Sequence, residues 1–394
     1  MSHERVWAEI DLDAITHNLD TVRSLAPGRG VIAIVKANAY GHGAVPVAWH
    51  LASRGVAMLG VGDSQEAIEL RRAGISIPIL ILGAIVRGEL DDVVAHDVAV
   101  TVHSAQRVRL LEREARRVGR RVAVHLKVDT GLARLGCLPR RAPDLARLIH
   151  ASEHLRFEGL CTHFSSVSPD GDGTTARQLE RFEQVCKGIR AAGVPPPRRH
   201  AAASAAILSR VATGLDDVRP GIALYGLAGG PEREAALRPA LSLKTQVIFL
   251  KDLPANKPIG YGRHHVTDRR TRIATLPVGY DDGYAYRLGG RGEVLIRGRR
   301  APVVGRVSMD YLTVDVGGIP GVSVGDEVVL MGRSGDDEVH ASELAARSGT
   351  IIYEVLTRLG RRVERIYRGG AAPVERGFAV VQRPGRAEIS RSAR

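Results

Sequence analysis

Along the first 240 residues, short apolar runs alternate with longer stretches whose apolar positions fall three and four residues apart. The runs are VIAIVKA around Val31, VAMLGVG around Val56, PILILG from Pro78, VAVTVHS from Val98, VAVHLKV from Val122, FEGLCTHF from Phe157, RHAAAS from Arg199 and DVRPGIALYG from Asp217. Bounded apolar runs of this length read as strands buried on both faces. The intervening segments, such as SQEAIELRRAG and TTARQLERFEQVCKGIRAAG, carry helical spacing. Repeated strand–helix units predict parallel strands with helical crossovers, and eight of them close most economically into a TIM barrel, an α/β fold.

From about Leu241 the rhythm changes to short strands broken by Gly and Pro turns, as in LSLKTQVIFL, RIATLPVGY, GEVLIRGRRAPVVGRVSMDYLTVDV and GDEVVLMG. That pattern predicts a separate, predominantly β domain. The segment SELAARSGTIIYEVLTRLGRRVERIY returns to helical spacing and is expected to pack as helix beside it. The expected division is a barrel over 1–240, a β domain over 241–376 and a frayed, basic tail over 377–394.

At 394 residues and 44% hydrophobic, the chain can bury the core such a division needs. Its opening, MSHERVWAEIDLDAITHNL, has no continuous apolar run, so neither a signal peptide nor a membrane span is expected and a cytoplasmic location is the default. Cys137, Cys161 and Cys186 are odd in number and widely spaced, which suggests neither a disulfide framework nor a metal site. The net charge of +13 comes from arginines scattered through patches such as LLEREARRVGRRVAV, not interleaved with aromatics. It therefore reads as a solvated surface that attracts anionic ligands, and no nucleic-acid partner is expected.

A TIM barrel carries its chemistry at the C-terminal ends of its strands. Lys36 ends the first run, Lys127 and Arg134 end and follow the fifth, His163 ends the sixth, Ser204 follows the seventh, and Arg219 and Gly221 lie in the eighth. A lysine desolvated at a strand end has a depressed pKa, which suits an amine that forms a Schiff base. An isolated lysine there more often reaches to solvent, so the residues around it decide the reading.

Those residues are informative: VIAIVKANAYGHG resembles the pyridoxal-phosphate attachment motif of alanine racemases. HLKVDTGLARLG, CTHF, DVRPGIALYG, IGYGR, LPVGYDDGY, PVVGRVSMD and GTIIYE come after it in that family's order, so the likeness extends to about Tyr367. It implies an N-terminal barrel holding pyridoxal 5'-phosphate on Lys36, a β domain completing the site, and a head-to-tail homodimer with shared active sites. Racemisation removes a proton from one face of a planar carbanion and returns one to the other, so two bases are needed. By the resemblance these are Lys36 and the partner chain's copy of Tyr261. An unperturbed tyrosine titrates near 10, and His163 and Arg219 look like the groups that assist it.

Arg219 resembles the arginine facing the pyridine nitrogen, which a guanidinium leaves unprotonated. Tyr40, Ser204, Gly221, Ile222 and Tyr353 match the phosphate shell, Arg134 the substrate-carboxylate arginine, and Met309 the partner-chain residue whose amide assists it. Lys127 matches a lysine that is often carbamylated, and His200 and Asp310 match supporting residues. Ser168, Tyr280, Tyr286, Arg306 and Ile351 correspond to the substrate corridor. Several positions depart from the pattern: Ser165, Ser166, Val167 and Ser168 replace a loop with an acidic residue, Tyr286 precedes Arg287 where an arginine is usual, Ala203 replaces asparagine and Asp281 replaces alanine. These departures imply a corridor of different charge and shape, able to admit serine, lysine or arginine beside alanine. Two other readings share the cofactor. A basic-amino-acid decarboxylase does not need Tyr261, and a non-catalytic cofactor carrier does not need the C-terminal domain.

Overall fold

The computed structural model describes residues 5–167, 173–211, 213–228 and 236–370. Ser168 and the 377–394 tail lie outside the described residues. The chain opens with β1 (Val6–Asp11) and a helix, Leu12–Leu25, whose first turn is capped by Asp11 accepting from the Ala14 amide at 2.9 Å. Eight parallel strands then close into a barrel: β2 (Gly30–Ile34), β3 (Met58–Val61), β4 (Ile79–Ile81), β5 (Ala99–Val102), β6 (Val122–Lys127), β7 (Leu155–Cys161), β8 (Arg198–Ala203) and β9 (Asp217–Arg219). One strand arises from each apolar run, and β2 pairs with β9 to complete the ring.

Side chains two apart on a strand share a face, so Ala123, His125 and Lys127 of β6 form successive layers. Ala123 packs with Leu80 and Ala99. His125 meets His200 of β8 ring to ring at 5.1 Å. Lys127 reaches the mouth, where it lines the cavity. The middle layer exists because β7 has glycine at 159: a β-carbon there would overlap the His125 ring. Gly159→Ala is therefore expected to lower stability by about 1–3 kcal/mol, read as a reduced urea midpoint, because a close-packed layer cannot absorb the extra carbon.

The second sheet runs β11-β14-β17-β16-β15-β18-β10-β1-β20, with β19 added to β18. Its remaining strands are β10 (Leu241–Gln246), β11 (Phe249–Leu253), β14 (Thr271–Leu276), β15 (Glu293–Ile296), β16 (Arg299–Val304), β17 (Leu312–Asp315), β18 (Glu327–Ser334), β19 (Asp337–Val339) and β20 (Glu364–Arg368). Between β11 and β14 in the chain, β12 (Pro258–Ile259) and β13 (His265–Val266) form a separate two-stranded hairpin.

Two features differ from the sequence reading. β1, inside the 1–240 span, belongs to this sheet: it pairs antiparallel with β10 and parallel with β20. The end of the segment read as helical is strand. Helices form at Ala341–Ser348 and Ile352–Thr357, but ERIYR is β20. Val363, Ile366 and Tyr367 have helix-like spacing, yet the open edge of β1 offers a ladder that local pattern does not reveal.

Candidate active site

At the C-terminal ends of the barrel strands lies a cavity of about 860 Å³. It is lined by Lys36, Tyr40, Lys127, Arg134, His163, Ser204, Arg219, Gly221, Ile222 and Tyr353, all singled out from the sequence. The described lining includes Lys36, Lys127, Arg134 and Arg219 but no carboxylate. A concavity with that charge balance favours anionic ligands.

Lys36 does not end its strand. β2 stops at Ile34, and Lys36 introduces a turn in which Ala37, Asn38, Ala39 and Tyr40 all have φ of 53°. Left-handed backbone costs L-residues about 1–2 kcal/mol each, so strain is concentrated beside the lysine. The turn is braced by Ala39 N donating to Val35 O at 2.8 Å and Gly41 N to Ala37 O at 3.0 Å. Glu66, which the sequence reading did not single out, accepts from the amides of Ala37 at 2.6 Å and Gly62 at 2.7 Å. Its signal was legible: Asp63 caps the helix Ser64–Arg72 and Glu66 stands three residues on, the spacing of a capping box. Burial and then Arg134 lower the Lys36 pKa, while Glu66 opposes them.

Arg219 is buried among neutral acceptors. It donates to His200 Nδ1 at 2.8 Å, His163 Nδ1 at 3.1 Å, and the carbonyls of Thr162 and Ala201, each at 2.9 Å. A guanidinium has no lone pair to offer, so both imidazoles must accept through Nδ1 and carry their proton on Nε2. The His200 Nε2 proton then goes to His125 Nδ1 at 2.8 Å. Desolvation followed by Arg219 holds His163 and His125 each at about 3 and pushes His200 well below the usual imidazole range.

Ser204 Oγ accepts from the amides of Gly221 at 2.9 Å and Ala223 at 3.2 Å, which ties β8 to the turn after β9. Gly221 comes after β9 and precedes the short 3-10 turn Ile222–Tyr225, so it lies just past the strand in which the sequence placed it. A β-carbon on Gly221 would stand 2.7 Å from the Tyr40 hydroxyl, so glycine lets that phenol enter the cradle. The helix Ile352–Thr357 brings Tyr353 to within 6.0 Å of Tyr40, ring to ring. Lys127 Nζ donates to Leu82 O at 2.9 Å, and burial lowers its pKa.

A second group of sequence-selected residues does not line this cavity. Tyr261 is 74% exposed, in the turn joining β12 and β13. Gly260 and Gly262 flank it with φ of 70° and 72°, the left-handed backbone that glycine permits. Met309, Tyr280, Tyr286 and Ile351 are also exposed. Tyr286 packs against Tyr280 at 6.4 Å and beneath Arg306 at 5.9 Å, a cation over an aromatic face. Arg362 gathers Asp281 at 2.9 Å, Asp282 at 3.2 Å and Asp310 at 2.6 Å. The unusual Asp281 thus has a local ion-pair role. Of the serine run, Ser165 hydrogen-bonds Gln178 Oε1 at 3.0 Å through its hydroxyl.

Among the described residues no helix is long and apolar enough to cross a membrane, and no His, Cys, Asp and Glu cluster could hold a metal ion. The alanine racemase N-terminal domain model matches residues 10–229 and the C-terminal domain model residues 240–367. An alanine racemase of Symbiobacterium thermophilum is 45% identical over 368 residues, 93% of this chain and 98% of that protein. The solved alanine racemase of Streptomyces lavendulae superposes with a TM-score of 0.89 at 37% identity, covering 94% of this chain and 98% of its own. A Bacillus anthracis alanine racemase structure with bound L-Ala-P has a TM-score of 0.87 at 35% identity, over 95% of this chain and 98% of its own. Both domain models match, in order, across nearly the whole chain, and the relatives agree with them: the chain belongs to the alanine racemase family of isomerases.

Proposed function

We propose that the chain interconverts L- and D-alanine with pyridoxal 5'-phosphate bound on Lys36, acting as a homodimer whose cavities are each completed by the partner. The observation that carries this reading is the division of the predicted residues between a cavity with one candidate base, Lys36, and an exposed face presenting the other, Tyr261. A single chain holds the two bases apart, and a head-to-tail pairing brings each Tyr261 to the other chain's cavity.

The residues present fit the cofactor. Among the described residues the lining around Lys36 has no carboxylate, and the Ser204–Gly221 junction with Tyr40 and Tyr353 supplies hydroxyls and close backbone approach for a phosphate. When bound, the cofactor withdraws electrons from the substrate's α-carbon and makes its proton labile. Lys36, with its depressed pKa, takes or returns that proton on one face. Tyr261 serves the opposite face. His163 carries its proton on Nε2 because Arg219 occupies Nδ1, so it is poised to donate towards the phenol oxygen. Arg219 stays charged and cannot readily hand a proton to the pyridine nitrogen, which limits side reactions such as transamination.

Arg134 binds the substrate carboxylate, assisted by the partner's Met309 amide. Burial enlarges the neutral fraction of the Lys127 amine, the form that adds carbon dioxide; the carbamate would place an anion beside Arg134. His200 and Asp310 support Arg219 and the Met309 loop respectively. Tyr280, Tyr286, Arg306 and Ile351 form the corridor, whose altered charge extends activity to larger or polar amino acids. Neither the decarboxylase nor the carrier alternative is favoured by the two-domain match.

The test is direct: purified chain plus cofactor, assayed for loss of optical rotation on each alanine enantiomer, then on serine, lysine and arginine. Equal approach to a racemic mixture from both enantiomers is the expected result. Carbon dioxide release without racemisation would overturn the reading. Activity confined to alanine by several orders of magnitude would remove only the broadened specificity.

A further inference from the structure

The left-handed turn after Lys36 is clasped by the far end of the chain, a feature the proposed chemistry does not use. Tyr367 of β20 donates its hydroxyl proton to His42 O at 3.0 Å, and Arg365 Nε donates to Gly41 O at 3.2 Å. The rest of the Arg365 guanidinium donates to the carbonyls of Val363 at 2.7 Å, Gly360 at 3.1 Å and Leu359 at 3.2 Å. One side chain thus joins the last strand, the loop before it and the turn. His42 is buried and uses Nδ1 on the carbonyls of Ala39 at 3.1 Å and Tyr40 at 3.0 Å, closing the turn from within. Asn38 Oδ1 accepts from Ala44 N at 2.7 Å where the turn passes into the next helix.

The fit is close as well as polar. Gly41 and Gly43 have φ of 85° and 97°, and a β-carbon on either would overlap its neighbour: Leu356 O for Gly41, the Tyr367 hydroxyl for Gly43. Four non-glycine residues in left-handed backbone persist only when the surroundings over-determine them. Glu66 braces the turn from the barrel side, and β20, which is hydrogen-bonded along β1, braces it from the other.

We propose that Arg365 and Tyr367 are positioning residues for the cofactor lysine: β20 is a clasp that holds the left-handed turn, so that Lys36 and Tyr40 face the cavity only when the C-terminal sheet is docked. The proposal rests on reading Lys36 as the cofactor lysine. It makes the C-terminal domain act on its own chain's cavity, in addition to presenting Tyr261 to the partner's.

Amide deuterium exchange over residues 37–44 tests the clasp in the full chain, with and without pyridoxal phosphate. Tyr367→Phe keeps the ring and removes one neutral hydrogen bond, so exchange there should quicken about fivefold and cofactor affinity, read by absorbance titration, should fall by a similar factor. Arg368→Gln is the control: it breaks the ion pair of Arg368 with Glu9 at 2.6 Å on the same strand without touching the turn. Arg365→Lys, which keeps the charge, should act in the same direction as Tyr367→Phe and replaces it if the phenylalanine variant does not fold. Unchanged protection in these variants, or equal loss in Arg368→Gln, would overturn the clasp. Failure of the wild-type chain to take up cofactor would instead overturn the functional reading, and the exchange comparison on the cofactor-free chain would still decide the clasp.

Discussion

Tyr261→Phe is expected to lower alanine racemisation by about 10²–10⁴-fold in both directions, the usual contribution of a positioned acid–base group. Cofactor binding should persist, because Lys36 and the Ser204–Gly221 cradle are untouched, and thermal stability should change little, because phenylalanine keeps the ring and removes only the hydroxyl. The diagnostic result is isotopic. With Lys36 still in place, one enantiomer of alanine should exchange its α-proton with deuterated solvent without inverting, while the other stays inert. A phenylalanine variant that racemises at the wild-type rate would remove Tyr261 from the mechanism. The same variant mixed with Lys36→Ala tests the shared site. Each parent lacks one base in every cavity, whereas a hybrid dimer holds one complete cavity and one lacking both. Free subunit exchange in an equal mixture should restore about a quarter of wild-type activity, since half the dimers are hybrids with one working site of two. No recovery after demonstrated exchange would count against partner donation of Tyr261.

Stability should fall steeply below about pH 6.5, through the buried His42, His125 and His200 and the partly buried His163. Desolvation is the largest cause for each: it holds His42 at about 4, His125 and His163 at about 3, and His200 well below the usual range, with Arg219 adding to the effect on the last three. Above 6.5 these rings are neutral in both folded and unfolded chains and add no pH dependence. Below it the unfolded chain takes up protons that the folded chain refuses, so stability present at neutral pH is lost as pH falls towards 4–3. Each ring contributes at most about 1.4 kcal/mol per pH unit in that window. Glu89 and Asp216, whose pKa values are lowered from 4.5 and 3.8, contribute only at more acidic pH. Urea midpoints measured at pH 7.5, 6 and 5 should therefore drop sharply between the last two. A flat profile from 7.5 to 5 would show that the rings are protonated or hydrated in the folded state. His163→Gln should make the profile shallower by one residue's share, because glutamine can accept from Arg219 but does not titrate.

The barrel's eight strands, the change to β structure near Leu241, and the polar residues near strand ends that line the cavity, Lys36, Lys127, Arg134, His163, Ser204 and Arg219, were legible in the sequence, whereas Tyr40 and Tyr353 entered only through the family resemblance. Periodicity and strand ends are local properties: an apolar run bounded by turns buries itself wherever it lies, and the residues just past its C-terminal end must sit at the barrel mouth. The resemblance carried by VIAIVKANAYGHG was equally local, since its lysine, asparagine, tyrosine and two glycines stand within eight residues of one another.

What the tertiary structure decided were matters of partnership over long distances in the chain. VWAEID joins a sheet whose other strands begin at Leu241, and ERIYR becomes strand because β1 leaves an edge for it. The left-handed turn after Lys36 has little signature in its own residues, since alanine and tyrosine ordinarily avoid that backbone and only asparagine among the four tolerates it; contacts with Glu66, Arg365 and Tyr367 hold it. The protonation pattern of His163, His200 and His125 comes from a single buried guanidinium that can only donate. Sequence patterning determines which residues are buried and which element they favour, because those preferences act over a few neighbours. Handedness under strain, strand partners and tautomers depend on atoms that come together only once the chain has folded.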